Sequence, residues 1–297
     1  MLSIVFLGGS ESSFPALRAI AERHRVVAVV RGGRPTGRSA RVRARHWLGS
    51  VARRLAVWSR DPLVDFARRQ RIPYWEAQPH DAALGARLAA LAPDLLCVAG
   101  YPWLLAHEVY TIPPLGAINL HPSLLPRHRG PAPHLWIYHA DDRETGVTVH
   151  RVDDGADTGE ILAQEAFPLP RGLPVAELRQ QCAQRGAALL ARTLDAIVER
   201  RVASRRQEES RATAAPRVPP GTAMVDHEGW DVEHVWHFLA GLCPHWREPL
   251  RDDRGRLVRY ARVMGYERRT HDAPAGLVRR NHRDLVLFSR GGIVRLA

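Results

Sequence analysis

The chain has 297 residues, is 45% hydrophobic and carries a formal net charge of +12; that size suits a real core and two domains, and that composition excludes a disordered or fibrous chain. All 43 basic residues are Arg, which excludes a Schiff-base or P-loop lysine and points to genome composition rather than function. Nine Arg and no acid lie between Arg31 and Arg60, a surplus that favours an anionic partner such as a folate, a nucleotide or a nucleic acid.

SIVFLG (3–8) is a continuous apolar run. It lacks a basic n-region and a cleavage site, so it reads as a first strand and not as a signal peptide. Leu17, Ile20 and Ala21 recur at helical spacing, and VVAVV (26–30) is a second strand. Leu48, Val51, Leu55 and Trp58 put an amphipathic helix in the Arg-rich insert. That insert is packed on the domain, covers an acceptor, or meets nucleic acid or a membrane surface. Asp61-Pro62 is an N-cap followed by a first-position proline. LLCVAG (95–100), AINLH (117–121), GVTVHRV (146–152) and EILAQEAF (160–167) are further strands, and a helix is expected from Val175 to about Arg200.

Strands alternating with helices predict an α/β fold: a mostly parallel sheet with helices on both faces, whose site lies beyond the carboxyl ends of the strands. Residues 1–204 form this domain, the Pro-, Ala- and Arg-rich stretch 205–223 is a linker, and 224–297 is a small C-terminal domain. In the last, DVEHVWHFLAGL is a helix, and GRLVRYARV, GLVRR, LVLF and GIVRL are strands of a small β-rich, barrel-like unit. No apolar run has the length of a membrane span. Cys97, Cys182 and Cys243 sit apart in apolar contexts, as core thiols of a cytoplasmic protein do.

Asn119 and His121 end one strand and share a face by the period of two, and Asp157 lies in the turn after the next strand. A lone His at a strand end is more often structural than catalytic. An amide, an imidazole and a carboxylate together suit acyl transfer: Asn119 donating to an oxyanion, His121 moving protons, Asp157 orienting the imidazole. Gly8-Gly9 after the first strand lacks the dinucleotide fingerprint. The Ser10–Ser13 stretch is either a plain strand-to-helix turn or a helix N-terminus facing an anion. His234, His237 and His245 have no zinc spacing and no metal is expected.

NLHPSLLPRHRGP followed by ETGVTVHRVDDGADTGEIL resembles the folate-dependent formyltransferase family, whose members act on methionyl-tRNA, glycinamide ribonucleotide or amino sugars. The resemblance runs in order through most of 1–200 and implies a Rossmann-like fold, with Asn119, His121 and Asp157 catalytic and 10-formyltetrahydrofolate as donor. It implies a donor pocket formed by the loop from Ala99 to Leu105, with Ala99, Tyr101, Trp103 and Leu104, and by the stretch Val152 to Ala156, with Asp153 and Ala156. Ser123, Leu124 and Leu125 lie beside the donor. On their own, Tyr101 and Trp103 are equally well core aromatics, Leu124 and Leu125 packing, and Asp153 a turn residue.

On the acceptor side, His128 stands where members acting on tRNA usually carry Trp, and Gly130-Pro131 replaces their Gly-Ala. With Trp136, this form is similar to enzymes of amino sugars and other small amines. The expected acceptor is a small primary amine, anionic or nucleotide-linked, with methionyl-tRNA as the alternative and a homodimer open. Arg127 and Arg129 pair with an acceptor phosphate or a folate carboxylate, or are solvated. Two readings of another class remain, a formyl-folate hydrolase and a non-catalytic RNA-binding protein.

Overall fold

The computed structural model describes residues 1–9, 11–33, 61–79, 81–281 and 284–297. The helix expected within the Arg-rich insert lies outside them. The first sheet is built from β1 (Ser3–Gly8), β2 (Arg25–Gly32), β3 (Tyr74–Ala77), β4 (Leu95–Ala99), β5 (Ala117–His121), β6 (Glu144–Arg151) and β7 (Ile161–Pro168). Its order is β3-β2-β1-β4-β5-β6-β7. The strands from β3 to β5 pair in parallel, and β6 runs antiparallel to β5. Helices cover both faces, as expected. β1 and β4 are buried along their whole length, which is why they read as unbroken apolar runs. The order reverses between β1 and β4, so a crevice is expected beyond Gly8 and Ala99.

Local chemistry sets the helices. Helix α1 (Phe14–Ala21) buries Leu17 and Ile20. In α2 (Pro62–Arg69) the Asp61 carboxylate accepts from the Leu63 amide at 3.0 Å and Pro62 opens the first turn. Helix α3 (Ala82–Leu91) starts the same way from Asp81. Short α4 (His107–Tyr110) and α5 (Pro133–His139) precede the long α6 (Val175–Val198). Neither β3 nor α3 is among the sequence expectations.

After α7 (Val232–Leu242), whose first turn is capped by Asp231, a second sheet forms. It comprises β8 (Arg251–Asp252), β9 (Val263–Arg268), β10 (Leu277–Asn281), β11 (Asp284–Ser289) and β12 (Gly292–Leu296), in the order β8-β10-β11-β12-β9. The strand expected over GRLVRYARV does not form as such. Tyr260 is buried, and its hydroxyl accepts from the Glu248 amide. The first part of that stretch pairs elsewhere, the Val258 amide donating to the Leu250 carbonyl and Leu257 bridging Arg251, while Arg262 exchanges backbone hydrogen bonds with Ala297 beside the ladder that starts at Val263.

The chain divides into two compact units. The first holds 1–121, 147–164 and 183–208; the second holds 122–146, 165–182 and 209–297. The first has a core in which Val5, Leu7, Val30, Leu96, Val98 and Tyr110 are buried together. In the second, the compositional linker is partly ordered against another segment. Arg129 and Ala214 form a parallel bridge, and Thr213 and Ala215 exchange backbone hydrogen bonds with Pro126, Arg129 and Ala132. No described helix is long and apolar enough to cross a membrane.

Candidate active site

β5 presents Asn119 and His121 two residues apart, and the antiparallel register sets His150 of β6 directly opposite Asn119. Asp157 meets all three. Its carboxylate is 3.4 Å from His121 Nδ1 and 3.4 Å from His150 Nε2, and it accepts from Asn119 Nδ2 at 3.2 Å. Asn119 Nδ2 is also 3.1 Å from His150 Nε2. The imidazoles are buried, whereas the Asp157 side chain keeps 16% of its exposure.

The turn carrying Asp157 is held from several directions. Asp157 itself has φ +58°, a left-handed conformation that a residue with a Cβ adopts only where its surroundings fix it. Gln207 Nε2 donates to the carbonyls of Asp157 and Gly159 at 2.8 and 2.7 Å. Asp153 Oδ1 accepts from the Gly155 amide and the Thr158 hydroxyl at 3.2 and 2.6 Å. Gly159 packs so closely on β6 that an added Cβ lies 1.9 Å from the Arg151 carbonyl oxygen. The Asp-Thr-Gly sequence is thus a backbone requirement as well as the source of the Asp157 carboxylate.

His150 is absent from the sequence expectations. Its Nδ1 lies 2.7 Å from the Arg151 carbonyl, which accepts, so the proton sits on Nδ1 and Nε2 is the acceptor facing Asn119. Asn119 therefore directs both amide hydrogens inward, one to His150 and one to Asp157. The alternation in GVTVHRV signals a strand with His150 on one face, but only the β5–β6 register reveals what that face meets. Gln207 is likewise invisible beforehand, because it lies in a polar stretch with no periodic pattern.

The residues expected at the donor fall into both units. In the first, the loop after β4 packs against the ends of β1 and β2: an added Cβ on Gly32 lies 2.2 Å from Pro102 Cδ. The Ala99 carbonyl accepts from the Ser13 hydroxyl at 2.7 Å. Ser13 is thus bonded within the fold, while Ser10 lies outside the described residues. Tyr101 is half-buried against the core, and burial pushes its hydroxyl up to about 12. Trp103 Nε1 is buried with no hydrogen-bond partner among the described residues, and Leu104 is 72% exposed. A loop with an unsatisfied indole N–H and an exposed leucine has the polar and apolar parts that a planar heterocyclic ligand needs. Asp153 is engaged in its own turn and Ala156 is exposed.

Ser123, Leu124 and Leu125 belong to the second unit. Ser123 and Leu125 are buried, the Ser123 hydroxyl donates to the Arg127 carbonyl at 2.8 Å, and Leu124 fills the space over Gly146. The arginines beside them pair internally: Arg127 with Asp142 at 2.5 Å and Arg129 with Glu209 at 2.7 Å. His128 is buried with its Nε2 2.7 Å from Asp142. His128 is thus part of an internal polar cluster with Arg127 and Asp142. Trp136 is half-buried and donates to the Pro216 carbonyl at 2.8 Å. His237 is buried and accepts from the Gly172 amide, and His234 stacks on Trp230.

A family model described as formyl transferase matches residues 49–194. A methionyl-tRNA formyltransferase of Pelobacter propionicus is 34% identical over 229 residues, 75% of this chain; the match spans 66% of that protein's length. One from Synechococcus sp. (strain JA-3-3Ab) is 31% identical over 302 residues, with 100% of this chain and 87% of that protein covered. Among solved structures, WlaRD, a sugar 3N-formyltransferase crystallised in the presence of dTDP and 5-N-formyl-THF, superposes with a TM-score of 0.68. Its identity is 14%, covering 100% of this chain and 97% of that one, a likeness of fold.

Proposed function

Because the chain belongs to the folate-dependent formyltransferase family, we propose that it transfers a formyl group from 10-formyltetrahydrofolate to the primary amine of a small acceptor. The meeting of Asn119, His121, His150 and Asp157 at the ends of β5 and β6 carries this reading. In the reaction the amine nitrogen bonds to the formyl carbon and the bond from that carbon to the folate nitrogen breaks. One proton leaves the amine and one goes to the folate nitrogen. The bound donor supplies the activated formyl carbon.

The protein's groups divide the rest. With His121 Nδ1 turned to Asp157, Nε2 is the ring nitrogen assigned to proton transfer, and the Asp157 carboxylate favours the imidazolium formed midway. Asn119 gives up one inward hydrogen bond and donates that N–H to the developing charge on the formyl oxygen. The partner that keeps the other N–H, His150 or Asp157, then holds the amide plane in place. The loop from Ala99 to Leu104 and the turn with Asp153 and Ala156 are the segments assigned to the donor, with Trp103 Nε1 as the polar atom still to be satisfied.

For the acceptor, the Gly130-Pro131 pattern with Trp136 supports a small amine, anionic or nucleotide-linked. His128 does not bear on that choice, because it is bonded to Asp142. Methionyl-tRNA is the second reading, favoured by the names of the sequence relatives and by the Arg surplus. Incubation with the donor and a panel of nucleotide amino sugars, amino acids and methionyl-tRNA, read by mass spectrometry, should show the mass gain of one formyl group on one class. Formate release from the donor alone, as fast as any amine is formylated, would instead establish a hydrolase. An Asn119→Ala/His121→Ala double variant with full cellular function would overturn the enzyme reading.

A further inference from the structure

Tyr110 closes α4, the short helix after the loop Gly100–Ala106, and does two things at once. Its ring is in the apolar core with Leu96 and Val98, where Val152 and Leu105 also pack. Its hydroxyl reaches out of that core and donates to Asp154 Oδ1 at 2.6 Å. His107, one turn earlier, joins them: its Nδ1 lies 2.9 Å from the Tyr110 hydroxyl and 3.3 Å from Asp154 Oδ1. Asp154 is in the turn between β6 and Asp157, next to Asp153, which closes that turn on itself. The two neighbouring carboxylates therefore have separate tasks. Asp153 shapes the turn internally, and Asp154 ties it to α4.

We infer that Tyr110, Asp154 and His107 form a clamp that sets the spacing between the Gly100–Ala106 loop and the Val152–Asp157 turn, and so positions the donor pocket. This rests on the proposed donor reading, in which those two segments hold the folate. The catalytic cluster shares only the Asp157 end of the clamped turn, and Gln207 and Gly159 fix that end independently. Loss of the clamp should therefore act on donor binding and spare the chemical step. The Tyr110–Asp154 bond is short and charge-assisted, and it pushes the tyrosine hydroxyl up to about 12. Asp154 itself is largely exposed, so its bond serves geometry more than stability.

The test uses the full-length chain and Tyr110→Phe, which keeps the buried ring and removes only the hydroxyl. Affinity for 5-formyltetrahydrofolate, measured by titration calorimetry, should weaken about three- to tenfold, as expected when two segments of a pocket must be ordered on binding instead of beforehand. With saturating donor, kcat and the acceptor KM should stay close to wild type, as should the melting midpoint. Asp154→Asn, whose amide oxygen still accepts from the tyrosine, should lose less than Asp154→Ala. Wild-type folate affinity in Tyr110→Phe overturns the clamp, as does a fall in affinity, kcat and melting midpoint in equal step. Wild-type protein that binds the folate but formylates no amine strikes the proposed reaction and leaves the clamp test standing. Wild-type protein that binds no folate overturns both.

Discussion

Asn119 has two amide hydrogens and three claims on them: His150, Asp157 and, in the proposed reaction, the formyl oxygen. Its value is therefore tied to the step in which charge appears, and not to holding the donor. Asn119→Ala should lower kcat by about 10²–10³ while donor affinity changes little, a split that steady-state kinetics and folate titration read separately. Equal losses in both would assign Asn119 to ground-state binding. That Asn119, His121 and Asp157 meet is legible in the sequence, because the first two share a face of one strand and the third lies in the turn after the next strand. His150 is not, since its role depends on the pairing register of β5 and β6, a long-range property. His128 misleads for the same reason: its partner, Asp142, lies across a helix in the chain, and burial turns an apparent acceptor residue into an internal one.

The Asp157 turn works as one unit, and Gly159 is its tightest point. An added Cβ lies 1.9 Å from the Arg151 carbonyl oxygen, a backbone atom that cannot swing aside. Gly159→Ala should destabilise by about 2–4 kcal/mol through overpacking, seen in urea unfolding, and should lower activity as Asp157 is displaced. In α7 the same logic takes an electrostatic form. Burial lowers the His237 imidazole to about 3, so the folded state resists a proton that the unfolded chain takes up near 6.5. Burial by itself would raise Glu233, but hydrogen bonds from Arg143 and Arg268 and the charge of Arg171 hold it down to about 2. Both shifts act in one direction. Stability should fall as pH drops below about 6.5 through His237, and again below about 4.5 through Glu233. Urea midpoints against pH should show this, and His237→Asn should flatten the upper part of the curve. One capped helix announces itself through Asp61-Pro62; the cap at Asp231 emerges only from the structure. The strand over GRLVRYARV does not materialise as one element because its first part pairs back on Leu250 and Arg251, while Arg262 pairs with Ala297, distant in sequence.

For the whole molecule, composition names a sign of charge but not its purpose. The alternating strands and helices make the parallel sheet and its two helical layers foreseeable. Which segments pack together is not, because 122–146 and 165–182 join the C-terminal unit through packing that no periodicity encodes. The nine Arg between Arg31 and Arg60 separate the two acceptor readings. Replacing four of them with Gln should leave formylation of a small amine unchanged. Retention of tRNA should weaken, with its log–log salt slope flattened by roughly 0.7–0.9 for each phosphate left unneutralised. Filter binding across a salt series, beside the amine assay, measures both.

The strand-like pairing of residues 213–216 with 126–132 bears on how such an enzyme can be taken apart or recombined. The segment that follows SLLP draws backbone partners from beyond position 204, through Thr213, Ala215 and Pro216. A cut at 204 therefore removes part of the scaffold of that segment. A chimaera joined there gives it a foreign neighbour, so that the segment facing the acceptor question and the C-terminal unit are inherited together. Exchange of acceptor preference between relatives is then expected to need both stretches at once, and a donor chain supplying only one should yield a protein that is folded in its sheet yet indifferent to either parent's amine.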